Sequence, residues 1–226
     1  MQVAHALLYD EPKKIFFAKK MRLNFLRKRK RVFPAKALEK YHAKLITLRK
    51  DEILINEGDP ARDYFQVYAG SVKMYSANQD GQEFIQGIFT AGESFGEPAL
   101  IGKFPYPGSV AALENSKIWK LAGDYFLQML MENFELHLKM DQVLCQRLRY
   151  KSMVLSEISS YDPEHRILSL LNYYKSKNGN GEKIIIPFTR QQLADMSGLR
   201  VETVIRTVKK MEKEKKLTLH GHKIKF

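Results

Sequence analysis

Residues 124–156 contain neither proline nor glycine and are rich in Leu, Met, Glu and Lys, a composition that sustains a helix of many turns. Spacings of three and four join Met131, Phe134, Leu138, Asp141, Cys145, Leu148, Ser152 and Leu155 into a stripe that suits the seam of a two-stranded coiled coil. Asp141 and Ser152 interrupt its apolar character, which costs stability or fixes register. Leu136, Met140, Val143 and Tyr150 lie on another side, where they can pack on a domain of the same chain. Two apolar faces imply two partners, one within the chain and one the same helix of a second subunit. The alternative is a single domain wrapped around a central helix. Cys145 reads as a small buried hydrophobe, because a buried cysteine without an activating partner is inert.

Ahead of that helix the chain is punctuated at strand-length intervals. Ile53-Leu54-Ile55 precedes the turn Asn56-Glu57-Gly58-Asp59-Pro60, Tyr64-Phe65-Gln66-Val67-Tyr68 ends at Gly70, and Val72-Lys73-Met74-Tyr75 alternates with period two. Asn78-Gln79-Asp80-Gly81 is a hairpin turn, and Glu83-Phe84-Ile85-Gln86-Gly87-Ile88-Phe89 resumes the sheet. Val110-Ala111-Ala112 and Lys117-Ile118-Trp119-Lys120-Leu121 supply further strands. Many short strands at such spacing indicate a barrel or jelly roll. Within it, Gly96 would let the backbone approach a ligand and Glu97 could accept from a sugar hydroxyl. The other reading is a strand-to-helix turn with Glu97 in solvent, and the residues alone leave both open.

Beyond the long helix, Asp162 can cap a helix opened by Pro163, with Ile167, Leu168, Leu170, Leu171 and Tyr174 on its apolar side. The run Lys177-Asn178-Gly179-Asn180-Gly181 ends it, and Lys183-Ile184-Ile185-Ile186-Pro187 is a brief strand. Two short amphipathic helices then meet at a tight turn. Thr189 caps the first with Gln192 as the reciprocal partner of a capping box, and Leu193, Ala194 and Met196 form its buried side. Gly198 takes the left-handed conformation that stops it. From about Val201 a second helix turns Val204 and Val208 inward, leaving Glu202, Thr203 and Arg206 on or near the open face. Arg206 could donate two hydrogen bonds to guanine, and Glu202 could accept from cytosine N4. Such a pair is a helix-turn-helix; the bland alternative is a helical hairpin with solvated Arg and Glu. Leu217-Thr218-Leu219 and Lys223-Ile224-Lys225-Phe226 can pair about His220-Gly221-His222 as a wing whose basic residues lie near flanking phosphates.

Charge agrees with that placement. Residues 1–50 hold 15 Lys/Arg against 3 acidic residues, residues 51–188 hold 13 against 18, and residues 189–226 hold 10 against 4, within a formal total of +13. A mildly acidic middle with basic ends fits a protein whose ends meet a polyanion. Lys19-Lys20-Met21-Arg22 and Arg27-Lys28-Arg29-Lys30-Arg31 read as a solvated basic arm, the alternative being added phosphate contacts. The single cysteine excludes an internal disulfide and a four-cysteine iron–sulfur or zinc site. No apolar run approaches the roughly 20 residues of a membrane span, and the first residues lack the apolar core of a secretory signal. The expected compartment is the cytoplasm, with no membrane partner. No P-loop, metal-spaced His/Cys set or nucleophile motif is present, so no catalytic activity is expected.

Together these segments resemble the Crp/Fnr family of bacterial transcription regulators over roughly residues 34–226. The resemblance rests on Glu57-Gly58-Asp59, Gly70-Ser71-Val72-Lys73, Gly92-Glu93-Ser94-Phe95-Gly96-Glu97, Thr189-Arg190-Gln191-Gln192-Leu193-Ala194 and Gly198-Leu199-Arg200-Val201-Glu202-Thr203-Val204-Ile205-Arg206, in that order. It implies an α+β chain: a basic extension (1–33), an N-terminal double-stranded β-helix, or jelly-roll/β-roll, of cyclic-nucleotide-binding type (34–123), a long dimerisation helix (124–156), and a C-terminal winged helix-turn-helix (157–226). It also implies a homodimer on palindromic double-stranded DNA, with RNA polymerase as a further partner. In the family, the positions of Glu202 and Arg206 touch base edges, and Thr189, Arg190 and Gln191 lie near the DNA backbone. Arg200, Val201, Thr203, Ile205 and Lys209 complete the expected contacts. Val201 stands where cyclic-AMP-responsive members usually carry arginine, and Ile205 replaces a residue that is often small.

The pocket side departs from the pattern. Gly96, Glu97 and Ser109 match family positions, but Phe104-Pro105-Tyr106-Pro107-Gly108-Ser109-Val110 has no arginine before Ser109 to pair with a cyclic phosphate. Losing the partner of a desolvated phosphate costs roughly 2–5 kcal/mol. Tight cyclic AMP binding is therefore not expected, and an unidentified small-molecule effector stays open. The family's N-terminal cysteine cluster is absent. His5, His42, His137 and His165 exist without a haem motif, so no cofactor is assigned. The rival readings are a constitutive architectural DNA-binding protein and a small-molecule binding module using the β-roll.

Overall fold

The computed structural model describes residues 31–79, 81–178 and 183–226. The basic arm up to Lys30, His5, Asp80 and the glycines at 179 and 181 lie outside the described residues. The first described element is a short helix, α1 (Ala35–Lys40), and a second, α2 (Glu97–Gly102), lies between the sixth and seventh strands. Eight strands follow, and they build two four-stranded antiparallel sheets: β1 (Lys44–Leu48), β8 (Ser116–Ala122), β3 (Asp63–Ala69) and β6 (Ser94–Phe95) in one, and β2 (Ile53–Ile55), β7 (Ser109–Ala112), β4 (Ser71–Ala77) and β5 (Glu83–Thr90) in the other. Inward side chains of both sheets, among them Leu48, Val67 and Ile118 facing Ile55, Val72 and Val110, form one buried layer. This is the β-roll expected from the alternating pattern. Asn78 closes the β4–β5 hairpin by accepting from Gln82 N at 2.8 Å through its side chain, and Gly81 has φ +76°. Strands β1 and β6 carry no alternation in the sequence and were not expected. They are edge strands, held by pairing with β8 and β3.

A second core lies against the outer face of the first sheet. Phe33 and Leu38 pack there with Tyr64, Phe126 and Met140, and Tyr64 stacks on Phe126 at 4.7 Å between ring centroids. Gln66, fully buried, anchors the entering chain: its Oε1 accepts from Phe33 N at 2.8 Å and from Tyr64 OH at 2.8 Å, and its Nε2 donates to Phe33 O at 2.9 Å. Every polar atom of that amide is matched, which makes its burial cheap.

The long helix differs from expectation in one respect. The uninterrupted run 124–156 is two helices, α3 (Gly123–Glu132) and α4 (Phe134–Ser160), separated at Asn133 with φ −134° and ψ 88°. Asn133 donates through Nδ2 to Met129 O at 2.8 Å and to Tyr41 OH at 2.9 Å, so its side chain satisfies a carbonyl freed at the end of α3. The seam stripe read from Met131 onward therefore does not lie on one helix. Met131 belongs to α3, and the continuous part begins at Phe134.

The C-terminal module contains α5 (Pro163–Asn178), β9 (Ile185–Ile186), α6 (Arg190–Ser197), α7 (Val201–Lys213), β10 (Thr218–His220) and β11 (Lys223–Lys225). Its core joins Ile167, Leu171, Leu193, Val204, Val208 and Ile224. Asp162 caps α5 by accepting from Glu164 N at 2.8 Å. Strand β11 pairs with both β10 and β9, giving the expected wing with Gly221 at its turn. A small cluster of Ile85, Leu170 and Met196 seals this module against β5. Residues 31–226 form one compact unit.

Candidate nucleic-acid interface and pocket

The helix-turn-helix is fixed first by local chemistry. Thr189 Oγ1 accepts from Gln192 N at 3.1 Å, and Gln192 Oε1 accepts from Thr189 N at 2.9 Å, the reciprocal bonds of a capping box. Gly198 stops α6 at φ +64°, and its N–H returns to Ala194 O. Arg200 occupies the N-cap position of α7. Val204, Thr207, Val208 and Met211 are buried under that helix, which sends the opposite stripe outward. Glu202, Ile205, Arg206 and Lys209 on it are exposed. Neither Glu202 nor Arg206 is engaged by another described residue, so both functional ends are available to a ligand. Glu202 in the first turn also favours the helix N-terminus electrostatically.

The remaining expected contacts divide. Arg200, Thr189 and Gln191 are exposed, although Gln191 also donates to Asp195 Oδ1 at 2.7 Å. Val201 and Thr203 are half-buried, and Val201 packs against the module's core. Arg190 is drawn inward: its Nη1 is buried without a hydrogen-bond partner, and desolvation, partly offset by Glu212, lowers its pKa. Two lysines of the basic run are also engaged. Lys210 donates to Glu164 at 2.9 Å, and Lys216 pairs with the same carboxylate. These bonds, Lys216 first, hold Glu164 below its usual range. The helix-opening Glu164 thus ties α5 to the end of α7. Its acidic position was visible in the sequence, but its partners were not.

Of the expected pocket residues, Gly96 and Glu97 sit at a feature that sequence reasoning missed, and Ser109 does not join them. Gly96 has φ +88°, and a Cβ there would meet Tyr106 Cε1 at 3.3 Å and Phe65 Cδ2 at 3.5 Å, so the glycine admits the protein's own aromatic rings. Glu97 is fully buried, contrary to the reading that placed it in solvent. Its Oε2 accepts from Arg147 Nη1 of α4 at 2.6 Å, while Oε1 is buried without a partner. Arg147 also donates to Ser94 O, and to Ser94 Oγ at 3.3 Å. Burial first, and then the Glu97 charge, push the nearby Tyr64 phenol well above its ordinary range. Ser109 lies apart from this pair, its Oγ accepting from Glu57 N at 3.0 Å. A signal for Arg147 did exist: with Leu136, Met140, Val143 and Tyr150 it completes a three-and-four spacing along the β-roll side of α4.

The other face of α4 is open. Phe134 is 73% exposed and Leu148 69% exposed, Leu138 and Leu155 are exposed with them, and Asp141 lies beside His137 at 3.9 Å. Cys145, read as buried, is exposed in the single chain. His42 packs edge-on against Tyr125, and His165 stacks on Tyr161. Among the described residues no group of three or more His, Cys, Asp or Glu side chains is placed to hold a metal ion, and no helix is long and apolar enough to cross a membrane.

Comparison with known proteins agrees with this geometry. Residues 45–133 match the cyclic nucleotide-binding domain model, and residues 165–226 match the Crp-like helix-turn-helix domain model. The chain is 28% identical over 191 residues to the cAMP-activated global transcriptional regulator CRP of Haemophilus influenzae, covering 83% of this chain and 82% of that one. It is 22% identical over 181 residues to the transcriptional activator protein anr of Pseudomonas aeruginosa, covering 78% and 74%. Among solved structures, FixK2 from Bradyrhizobium japonicum aligns with TM-score 0.72 at 20% identity, covering 81% of this chain and 92% of that one, a likeness of fold.

Proposed function

The chain belongs to the Crp/Fnr family of DNA-binding transcription regulators, and from that premise we propose that it acts as a homodimer on a palindromic operator, reading it with Glu202 and Arg206. The observation that carries this reading is the outward, unengaged pair on α7, held there by a buried opposite face and a capped α6. In a major groove Arg206 would donate to guanine O6 and N7, and Glu202 would accept from cytosine N4. Arg200, Lys209 and the wing lysines would meet phosphates, which position the module without reading sequence. The dimer partner is a second copy, seated on the exposed stripe Phe134, Leu138, Cys145 and Leu148 of α4. A two-fold axis along that seam would set two α7 helices one DNA turn apart. RNA polymerase is the expected further partner of a regulator of this kind.

Cyclic AMP is not the effector in this reading. No arginine lies in the stretch directly before Ser109, and the carboxylate that would take a sugar hydroxyl is fully buried and held through Oε2 by Arg147. An effector of another kind would act by favouring one arrangement of α4 relative to the β-roll, since that ion pair links the two.

The test is selection of bound duplexes from a random pool, followed by affinity measurements on the selected operator. Wild-type protein is expected to prefer it over random duplex by at least ~10³. Glu202→Ala and Arg206→Ala should each cost about 1–3 kcal/mol on the operator while leaving nonspecific binding nearly unchanged. Equal affinity for operator and random duplex would instead support the architectural reading.

A further inference from the structure

We propose, resting on the reading that α7 enters a major groove, that Ile205 selects a thymine in each half-site through the C5-methyl group of that base. Ile205 lies three residues after Glu202 and directly before Arg206, and it is 39% exposed. Val204 and Val208 supply the buried face of α7, so Ile205 is a large apolar side chain set among polar ones on the outward stripe.

Its chemistry restricts what it can face. An isoleucine side chain has no hydrogen-bonding atom, so against guanine, adenine or cytosine it would strip water from a donor or acceptor and return nothing. Thymine is the one unmodified base that presents a methyl group in the major groove. A β-branched side chain on a helix is held mainly in one χ1 rotamer, so little freedom is lost when it meets that methyl. Glu202 and Arg206 supply the polar readout on the same stripe. Val201 and Thr203 also carry methyl groups but are half-buried, so the exposed apolar end on this stripe is that of Ile205.

Uracil differs from thymine by that methyl alone and keeps every hydrogen-bonding group. With the full chain and the selected operator, each thymine of a half-site is replaced in turn by uracil and binding is measured. Burying one methyl is worth ~0.8 kcal/mol, so one thymine per half-site should lose about fourfold in affinity when replaced. In Ile205→Ser that sensitivity should vanish at the same position, with nonspecific binding at low salt unchanged. Ile205→Val, which keeps a β-branched apolar end, should retain it. The assignment is overturned if no thymine is methyl-sensitive, or if Ile205→Ser shows the wild-type pattern. A pool that yields no enriched motif removes the base-reading assignment of α7 as well. An enriched motif whose thymines all tolerate uracil removes only the role of Ile205.

Discussion

Arg147 and Glu97 show how much one long-range pair can organise. A fully buried carboxylate is costly unless its charge is matched, and here the match comes from a guanidinium on another element, 50 residues away in sequence. The arginine is partly solvated, which moderates the effect. Arg147→Ala should lower unfolding stability by about 2–4 kcal/mol, because it leaves the Glu97 charge buried alone. The pair Arg147→Met with Glu97→Gln should recover most of that loss, since neither charge is then present. Urea unfolding of the three proteins checks both expectations, and an unchanged midpoint in Arg147→Ala would show the pair to be idle. Asp195 presents the opposite case. Burial raises its pKa, with Gln191 donating to it and Glu83 and Lys73 nearby. The folded protein therefore keeps the proton over a pH window just above the usual carboxylate value, where the unfolded chain has lost it. Stability falls as pH rises through that window, and the cost persists at neutral pH. Asp195→Asn keeps an Oδ1 acceptor for Gln191 and should be more stable than wild type at pH 7. That gain should shrink toward about pH 3, where both states carry a protonated Asp195. Unfolding curves at the two pH values distinguish this from a pH-independent packing effect.

At the scale of elements, caps and breaks decide where helices point. The Thr189–Gln192 box sets the start of α6, and Gly198 sets its end, so the entry angle of α7 follows from two local motifs. Thr189→Ala should destabilise the protein by about 1 kcal/mol through the lost cap, seen as a lower urea midpoint with an unchanged denaturant slope. The α3–α4 break belongs to the same class but was not foreseen. Asparagine is a weak helix former rather than a breaker, and the bond from Asn133 to Tyr41, 92 residues away in sequence, is one no local pattern announces. Edge strands β1 and β6 were likewise invisible locally, because pairing rather than alternation holds them.

Across the whole molecule, the contact between the two modules matters most. Ile85, Leu170 and Met196 seal the winged module to β5, and Lys177 pairs with Glu93 beside it. Desolvation opposes the Lys177 charge, and Glu93 outweighs it, so the lysine's pKa is raised. One face of α4 is used inside the chain, while Phe134, Leu138 and Leu148 on the other are exposed in the single chain. The proposed dimer on that stripe predicts that Leu148→Glu is monomeric in sedimentation velocity, because two carboxylates would face each other across the seam. The same variant should lose operator affinity while keeping the wild-type far-UV spectrum. A dimer that survives the substitution would place the subunit contact elsewhere.

Neighbours along the chain set the local grammar: the β4–β5 turn, the capping box, the glycine stop, the Asp162 cap and the inward face of α4. Each of these is set by neighbours within a few residues or by a simple period, so the chain carries the signal wherever it folds. Packing between distant segments set the rest: Glu97 takes Arg147 as its partner, Arg190 turns inward, Lys210 and Lys216 converge on Glu164, and the long helix breaks at Asn133. A charged side chain's partner is chosen by packing between segments distant in sequence. The energy of that choice depends on desolvation, which no local pattern records.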